Sequence, residues 1–287
     1  MSDVFAQFTN TLRNGLVAIP SAPDHVVFEN GPNLNIPAAV STLALQGIVL
    51  VRDFIAHSEA LRLATEVNGV LAAVSDMLNA EQTIETDTFA VNFELERFKT
   101  FPLIAAHHKP VFNIRHGRTS GAPEAGFVDL FKPDVLIPAL APYRAALETG
   151  LPAQILTHFP SQRYRPTSLN LYINDSVTHQ RDFHIDDESH QVKAFVYLTD
   201  VLTREDGPYC YIPGSHQEKH IKALNKVYNT AAGRPRTDMS LADPATAIAC
   251  LAPAGTLILS IQSGLHRGLD QVPGARRLML TELFEPG

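Results

Sequence analysis

The chain has two cysteines, no long apolar run and no cluster of one charge, and each shortage excludes something. Cys210 and Cys250 build neither a disulfide framework nor a Cys-x-x-Cys pair. They read as small buried hydrophobes, and a reducing, cytoplasmic setting is the default expectation. The apolar stretches are broken by polar residues well short of the ~20 residues that cross a bilayer, so no membrane association is expected. The opening Met-Ser-Asp-Val-Phe-Ala-Gln lacks a basic n-region and a long apolar h-region, so it does not read as a signal peptide. Basic residues number 23 against 30 acidic ones, for a formal charge of −7, and no Lys/Arg-rich run stands out. Nucleic acid is therefore not an expected partner. Internal repeats and low-complexity segments are also missing. What remains is a globular composition, 45% apolar and 18% charged over 287 residues. That is enough for one sizeable core, and the chain reads as a single domain over 1–287.

Two textures divide that domain at about residue 150. In the first part, 3–13 reads as a short helix, and the four prolines in 20–37 mark a loop or extended arm. The β-branched run after Gly47 predicts a strand within 40–54. Apolar residues at helical spacing predict a helix over 59–79, with Ser58 as N-cap and Glu59 in its first turn. Residues 88–101 fit a strand by alternation and a helix by composition. Residues 105–126, with His107, His108, Arg115, His116 and Arg118, read as a long loop. A helix over 134–149 would end at Gly150. From 151 to 287, short strand-like runs recur at 153–158, 168–174, 191–198, 209–212, 255–261 and 277–284. Asn-Asp, Asp-Gly-Pro and Pro-Gly turns separate them. This predicts a mainly β fold with flanking helices around a jelly-roll core, interrupted by a helical insert at 217–250 over its mouth.

Twelve histidines are present, and a few stand where chemistry would need them. His184 and Asp186 are separated by one residue, so on extended backbone they project from one face. His266 follows the apolar run 255–261. Two imidazoles and one carboxylate with open positions suit a non-haem Fe(II) oxygenase. Taken alone, a His-x-Asp pair is weak evidence, and the competing reading is ordinary surface histidines at strand ends. The adjacent Arg276 and Arg277 shift the balance. A dicarboxylate such as 2-oxoglutarate would chelate iron through one end and need a fixed guanidinium at the other. On a strand, one of the two arginines should point inward. Asn170, Tyr172 and Asn174 share a strand face, and Asn170 or Asn174 is a candidate co-substrate contact. Lys193 would either reach the co-substrate or snorkel. His216 fits a turn or a partner to a ligand rather than a ligand itself.

The chain resembles the phytanoyl-CoA dioxygenase family of Fe(II)/2-oxoglutarate oxygenases. The likeness is carried by His184-Ile-Asp186, Lys193-Ala-Phe-Val-Tyr-Leu-Thr-Asp-Val, Asp206-Gly-Pro-Tyr, Ile212-Pro-Gly-Ser-His216, Ala254-Gly-Thr-Leu-Ile-Leu, Leu265-His-Arg-Gly and Arg276-Arg-Leu, in that order. It covers about half the chain, mainly 168–284. The resemblance implies a double-stranded β-helix. It also implies iron held by His184, Asp186 and His266, and 2-oxoglutarate anchored by Arg277. A single-residue gap would hand that role to Arg276. Met279 stands where some relatives have Ser or Thr. The implied reaction consumes O₂ and 2-oxoglutarate, releases succinate and CO₂, and oxidises a C–H bond of a small molecule. Arg115, His116, Arg118, Arg234 and Arg236 suggest that this molecule is anionic or polar. Two other readings stay open: a cupin-like metal-dependent isomerase or hydrolase, and a jelly-roll binding protein without catalysis.

Overall fold

The computed structural model describes residues 19–117, 122–159 and 162–287. The helix expected at 3–13 and Arg118 lie outside them. Among the described residues, thirteen strands run in chain order: β1 (Val27–Glu29), β2 (Ile48–Arg52), β3 (Ile84–Glu85), β4 (Ala90–Phe93), β5 (Val111–Ile114), β6 (Phe127–Phe131), β7 (Tyr164–Asp175), β8 (Val192–Tyr197), β9 (Tyr209–Tyr211), β10 (Ile248–Ala249), β11 (Leu257–Ile261), β12 (His266–Gly268) and β13 (Arg276–Pro286). Ten of them form one sheet, ordered β1-β2-β11-β8-β13-β7-β6-β5-β4-β3, and β10-β9-β12 form a second. The β1–β2 and β4–β5 pairs are parallel.

Alternation along the strands gives the large sheet two different faces. Val49, Val51, Leu169, Leu171, Ala194, Val196, Leu257, Leu259, Leu278 and Leu280 enter one apolar layer. Helices α1 (Ile36–Gln46), α2 (His57–Ala73), α3 (Ser75–Asn79), α5 (Pro133–Leu136), α6 (Ala141–Thr149) and α7 (Leu151–Thr157) cover it, whereas α4 (Phe101–Ala106) lies on the opposite face, with Ile104 against Ala90, Val111 and Phe131. Leu43 of α1, Leu63 and Val67 of α2, Leu147 of α6 and Ile155 of α7 join that layer. Each such side chain contributes roughly 1.5–3 kcal/mol on burial. The other face meets the small sheet. There Ile48, Leu50, Phe195, Tyr197, Ile258 and Met279 pack against Tyr209, Tyr211 and Ile248. Two sheets closed over a shared interior are the expected jelly roll, with helices on its outside.

Several local expectations need correction. The strand expected after Gly47 is present as β2, but the residues just before it belong to α1, which occupies 36–46 and stops at Gly47. Gly47 has φ +78°, and a Cβ there would sit 2.3 Å from the Tyr211 hydroxyl. Only glycine fits this turn, which seats α1 against the small sheet. The long helix is broken into α2 and α3, and α2 begins at His57 with Ala56 before it, so Ser58 is not its cap. Glu59 does lie in the first turn, bonded to Arg62 and Tyr143. The ambiguous 88–101 contains β4, which ends where Glu94 and Leu95 take positive φ. The long loop expected at 105–126 holds the end of α4 and all of β5. The run at 153–158 is helix α7, not strand. Its buried Pro152, Ile155 and Leu156 have i, i+3, i+4 spacing, and Pro152 suits a first turn. The N-terminal part is also less helical than expected, since it supplies six strands to the large sheet. The insert carries helix α8 (Lys219–Ala232), ended by left-handed Gly233. Among the described residues, no helix is long and apolar enough to cross a membrane.

Candidate metal centre

His184 and His266 lie opposite each other across an isolated antiparallel bridge. Each backbone amide donates to the other's carbonyl at 3.0 Å, and the two rings are 4.6 Å apart. The segment around His184 is extended without belonging to a named strand. Its alternation nevertheless holds. Phe183 and Ile185 enter an apolar cluster with Met239 and Leu265. His184 and Asp186 therefore project together on the opposite side. The Asp186 amide donates to the Gln262 carbonyl at 3.2 Å, and the Ile185 amide to Thr237 of the insert at 3.0 Å. An Arg181–Asp238 ion pair at 2.6 Å fastens the insert alongside. The insert is thus part of the wall behind His184, rather than only a cover over the mouth.

The three side chains converge. One donor atom each from His184, Asp186 and His266 lies within 4.8 Å of the others. Asp186 Oδ1 is 3.7 Å from His184 Nε2 and 3.5 Å from His266 Nε2. The opposite ring nitrogens are tied down, His184 Nδ1 to the Asp182 carbonyl at 2.8 Å and His266 Nδ1 to the Gly264 carbonyl at 2.9 Å. A carbonyl only accepts, so each Nδ1 carries a proton, and Nε2 is the ring atom turned toward Asp186. Burial, with His266 and Arg181 nearby, pushes the His184 pKa well down, keeping its imidazole neutral. Burial alone would raise the Asp186 carboxyl, but Lys193 and the two imidazoles hold it well below the usual carboxylate range. Two imidazole nitrogens and an anionic oxygen thus face one point. That donor set fits a divalent transition metal with several positions left open.

Lys193 is bound to this carboxylate. Its Nζ donates to Asp186 Oδ2 at 2.5 Å and lies 5.5 Å from the centre of the Tyr172 ring. Deeper in the interior, Arg277 is 3% exposed. Its Nη2 donates to Asn174 Oδ1 at 3.1 Å, whereas its buried Nε and Nη1 have no partner in the protein. Burial pulls its pKa down, with Tyr197, Cys210 and Cys250 close by. Arg276 points the other way, to Asp175 and to Asn68 of α2. The pair left open by the sequence is therefore asymmetric: one arginine faces the interior and one the helices. Asn170 is buried on the same inner face, but its bond is to Ser168 of its own strand at 2.8 Å. Met279 packs in the apolar interior. His216 binds the Ala44 carbonyl of α1 at 3.0 Å. It anchors a turn and does not support a ligand, since backbone carbonyls already hold both Nδ1 atoms.

The loop cations are spoken for, or lie elsewhere. Arg115 pairs with Glu124 at 3.0 Å and sits over Phe101 and Phe127. Arg234 donates to Ser240. His116 lines a cavity of about 440 Å³ on the helix side of the large sheet, together with Asn68, Glu81, Asp175 and Arg276. Sequence reasoning missed Asp129, 2% exposed on β6, with Oδ1 unpartnered and its carboxyl pushed up to about 7 by burial. Its signal was the alternation Phe-Val-Asp-Leu-Phe, which puts one acid between two inward aromatics.

No family model matches the sequence, and no curated protein does. Solved structures do resemble it. The crystal structure of EctD from S. alaskensis with bound Fe matches with a TM-score of 0.55 at 18% identity, covering 93% of this chain and 83% of that one. SnoK, a non-haem alpha-ketoglutarate-dependent carbocyclase from nogalamycin biosynthesis, matches at 0.54 and 16% identity, over 89% and 87%. The epimerase SnoN in complex with Fe3+, alpha-ketoglutarate and nogalamycin RO matches at 0.52 and 14% identity, over 87% and 83%. At these identities the likeness is one of fold.

Proposed function

We propose that the chain is a non-haem iron, 2-oxoglutarate-dependent oxygenase of the phytanoyl-CoA dioxygenase type, acting on a small molecule. The observation that carries this reading is the convergence of two imidazoles, each fixed through Nδ1 by a backbone carbonyl, and one carboxylate on a single point. His184, Asp186 and His266 would hold Fe(II). Arg277 would take the far carboxylate of 2-oxoglutarate on its unpartnered edge, with Asn174 fixing its other edge. The bound Fe of EctD, the alpha-ketoglutarate dependence of SnoK and the Fe3+ and alpha-ketoglutarate held by SnoN agree with this. When bound, the iron and 2-oxoglutarate would supply the oxidising chemistry from O₂, releasing succinate and CO₂. The protein's own part is to orient the co-substrate and to exclude water around the reacting C–H bond. With Arg115 already paired to Glu124, the substrate is better read as polar than as strongly anionic. The buried, unpaired Cys210 and Cys250 suit a reducing, cytoplasmic setting.

The test is an anaerobic titration with Fe(II) and 2-oxoglutarate, followed by a substrate screen scored by succinate release. Stoichiometric binding of both and substrate-dependent succinate are expected. Iron binding with no affinity for 2-oxoglutarate would instead favour a cupin-like isomerase or hydrolase. Failure to bind metal would leave a jelly roll whose histidines are incidental.

A further inference from the structure

We propose that Lys193 is a positioning residue that keeps Asp186 a single-oxygen donor, so that the remaining positions stay open to the co-substrate. The inference rests on the metal-centre reading above and adds a role to one side chain. The two oxygens of Asp186 are divided between two tasks. Oδ1 faces both Nε2 atoms at 3.5 and 3.7 Å, and Oδ2 accepts from Lys193 Nζ at 2.5 Å. The ammonium is not a wandering surface charge, since the Lys193 side chain is only 16% exposed. It rises from β8 between Val192 and Ala194, both fully buried in the opposite apolar layer. Tyr172 supports its tip. The carboxylate is held from the other end as well, through the Asp186 amide on Gln262.

This arrangement works against simple metal affinity. A cation placed beside a ligand oxygen repels a divalent ion, and water screens the repulsion only in part where the Lys193 side chain is largely shielded. A centre built only to hold metal would do better without it. What the ammonium provides is orientation. A chelating keto acid and O₂ together need three open positions on the ion. A carboxylate freed from Lys193 can present both oxygens and take one of those positions.

The test uses the full chain loaded with Co(II), whose absorption spectrum reports coordination number, before any 2-oxoglutarate is added. Lys193→Met is expected to bind Co(II) at least as tightly as the parent protein, with an altered spectrum. Its affinity for 2-oxoglutarate should then fall about 10- to 100-fold, the range over which losing a partner to a metal ligand lowers metal affinity or activity. Lys193→Arg, which keeps a charged donor, should restore the parent spectrum. Circular dichroism of both variants separates these effects from misfolding. An unchanged Co(II) spectrum in Lys193→Met, with only the 2-oxoglutarate affinity reduced, would overturn the proposal and make Lys193 a direct co-substrate contact. A parent protein that binds no Co(II) would remove the metal-centre reading itself, which is a different failure.

Discussion

The two faces of the large sheet obey opposite rules. On the helix side, strands contribute almost only Val, Leu, Ile and Ala, and the layer is dry. On the inner side, the same strands contribute Asn170, Asn174, Lys193, Thr281 and Arg277, all half-buried or buried. One face is built for stability. The other accepts the cost of buried polar groups, roughly 1–3 kcal/mol for each left unpartnered, because those groups await something. Neither rule is absolute. Glu282 is a carboxyl buried in the apolar layer, 1% exposed with Oε2 unpartnered, and its pKa is pushed up to about 8 by burial. Met279 is one of several apolar residues on the working face.

This contrast can be broken by substitution. The largest effect is expected on the working face: His266→Ala should abolish stoichiometric Fe(II) binding in a metal titration. The affinity loss should exceed about 100-fold, the upper end of what outer partners cost. Next comes the intruder on the dry face. An unfolded Glu282 loses its proton near pH 4.5, whereas the folded one keeps it until about pH 8. Between those values the folded state binds more protons, so this residue makes stability fall as pH rises. Glu282→Gln should therefore match the parent near pH 4 and exceed it by something of order 4 kcal/mol at pH 8. Denaturant melts at the two pH values would show it, and equal gains at both would refute it. The neighbouring arginines give the third and fourth comparisons. Arg277→Met should weaken 2-oxoglutarate binding by about 1.5–3 kcal/mol, the worth of charged hydrogen bonds, which is roughly 10- to 150-fold in calorimetry. Arg276→Met, one residue away, should leave that affinity within about twofold and cost less than ~1 kcal/mol of stability, since it removes a half-exposed ion pair.

The working face was more legible in the sequence than the fold around it. His184, Asp186 and His266 stood out because His-x-Asp on extended backbone has one geometric consequence. The phase of β13 was not readable. Its two faces read Arg-Leu-Leu-Glu-Phe and Arg-Met-Thr-Leu, and neither is purely apolar, so only the pairing with β7 and β8 shows which arginine turns inward. Strands β5 and β6 escaped notice because every residue in them is buried, so apolar residues fill both faces and a single Asn113 or Asp129 is the only polar mark in each. Helix α7 was misread for the opposite reason: seven residues hold too few turns for a period of 3.6 to declare itself. The contact of Lys193 with Asp186 crosses a loop of irregular backbone, and nothing in local spacing announces it.

The bridge between His184 and His266 has a consequence for how the centre is assembled. The peptide units that bear the two imidazoles are already clasped to each other through a closed pair of backbone bonds. Ordering this much of the pocket is then a task of folding, completed by the chain alone, and an arriving ion meets a nearly rigid claw. The amide hydrogens of residues 184 and 266 should accordingly exchange with deuterium as slowly in metal-free protein as those of central β8, within about tenfold.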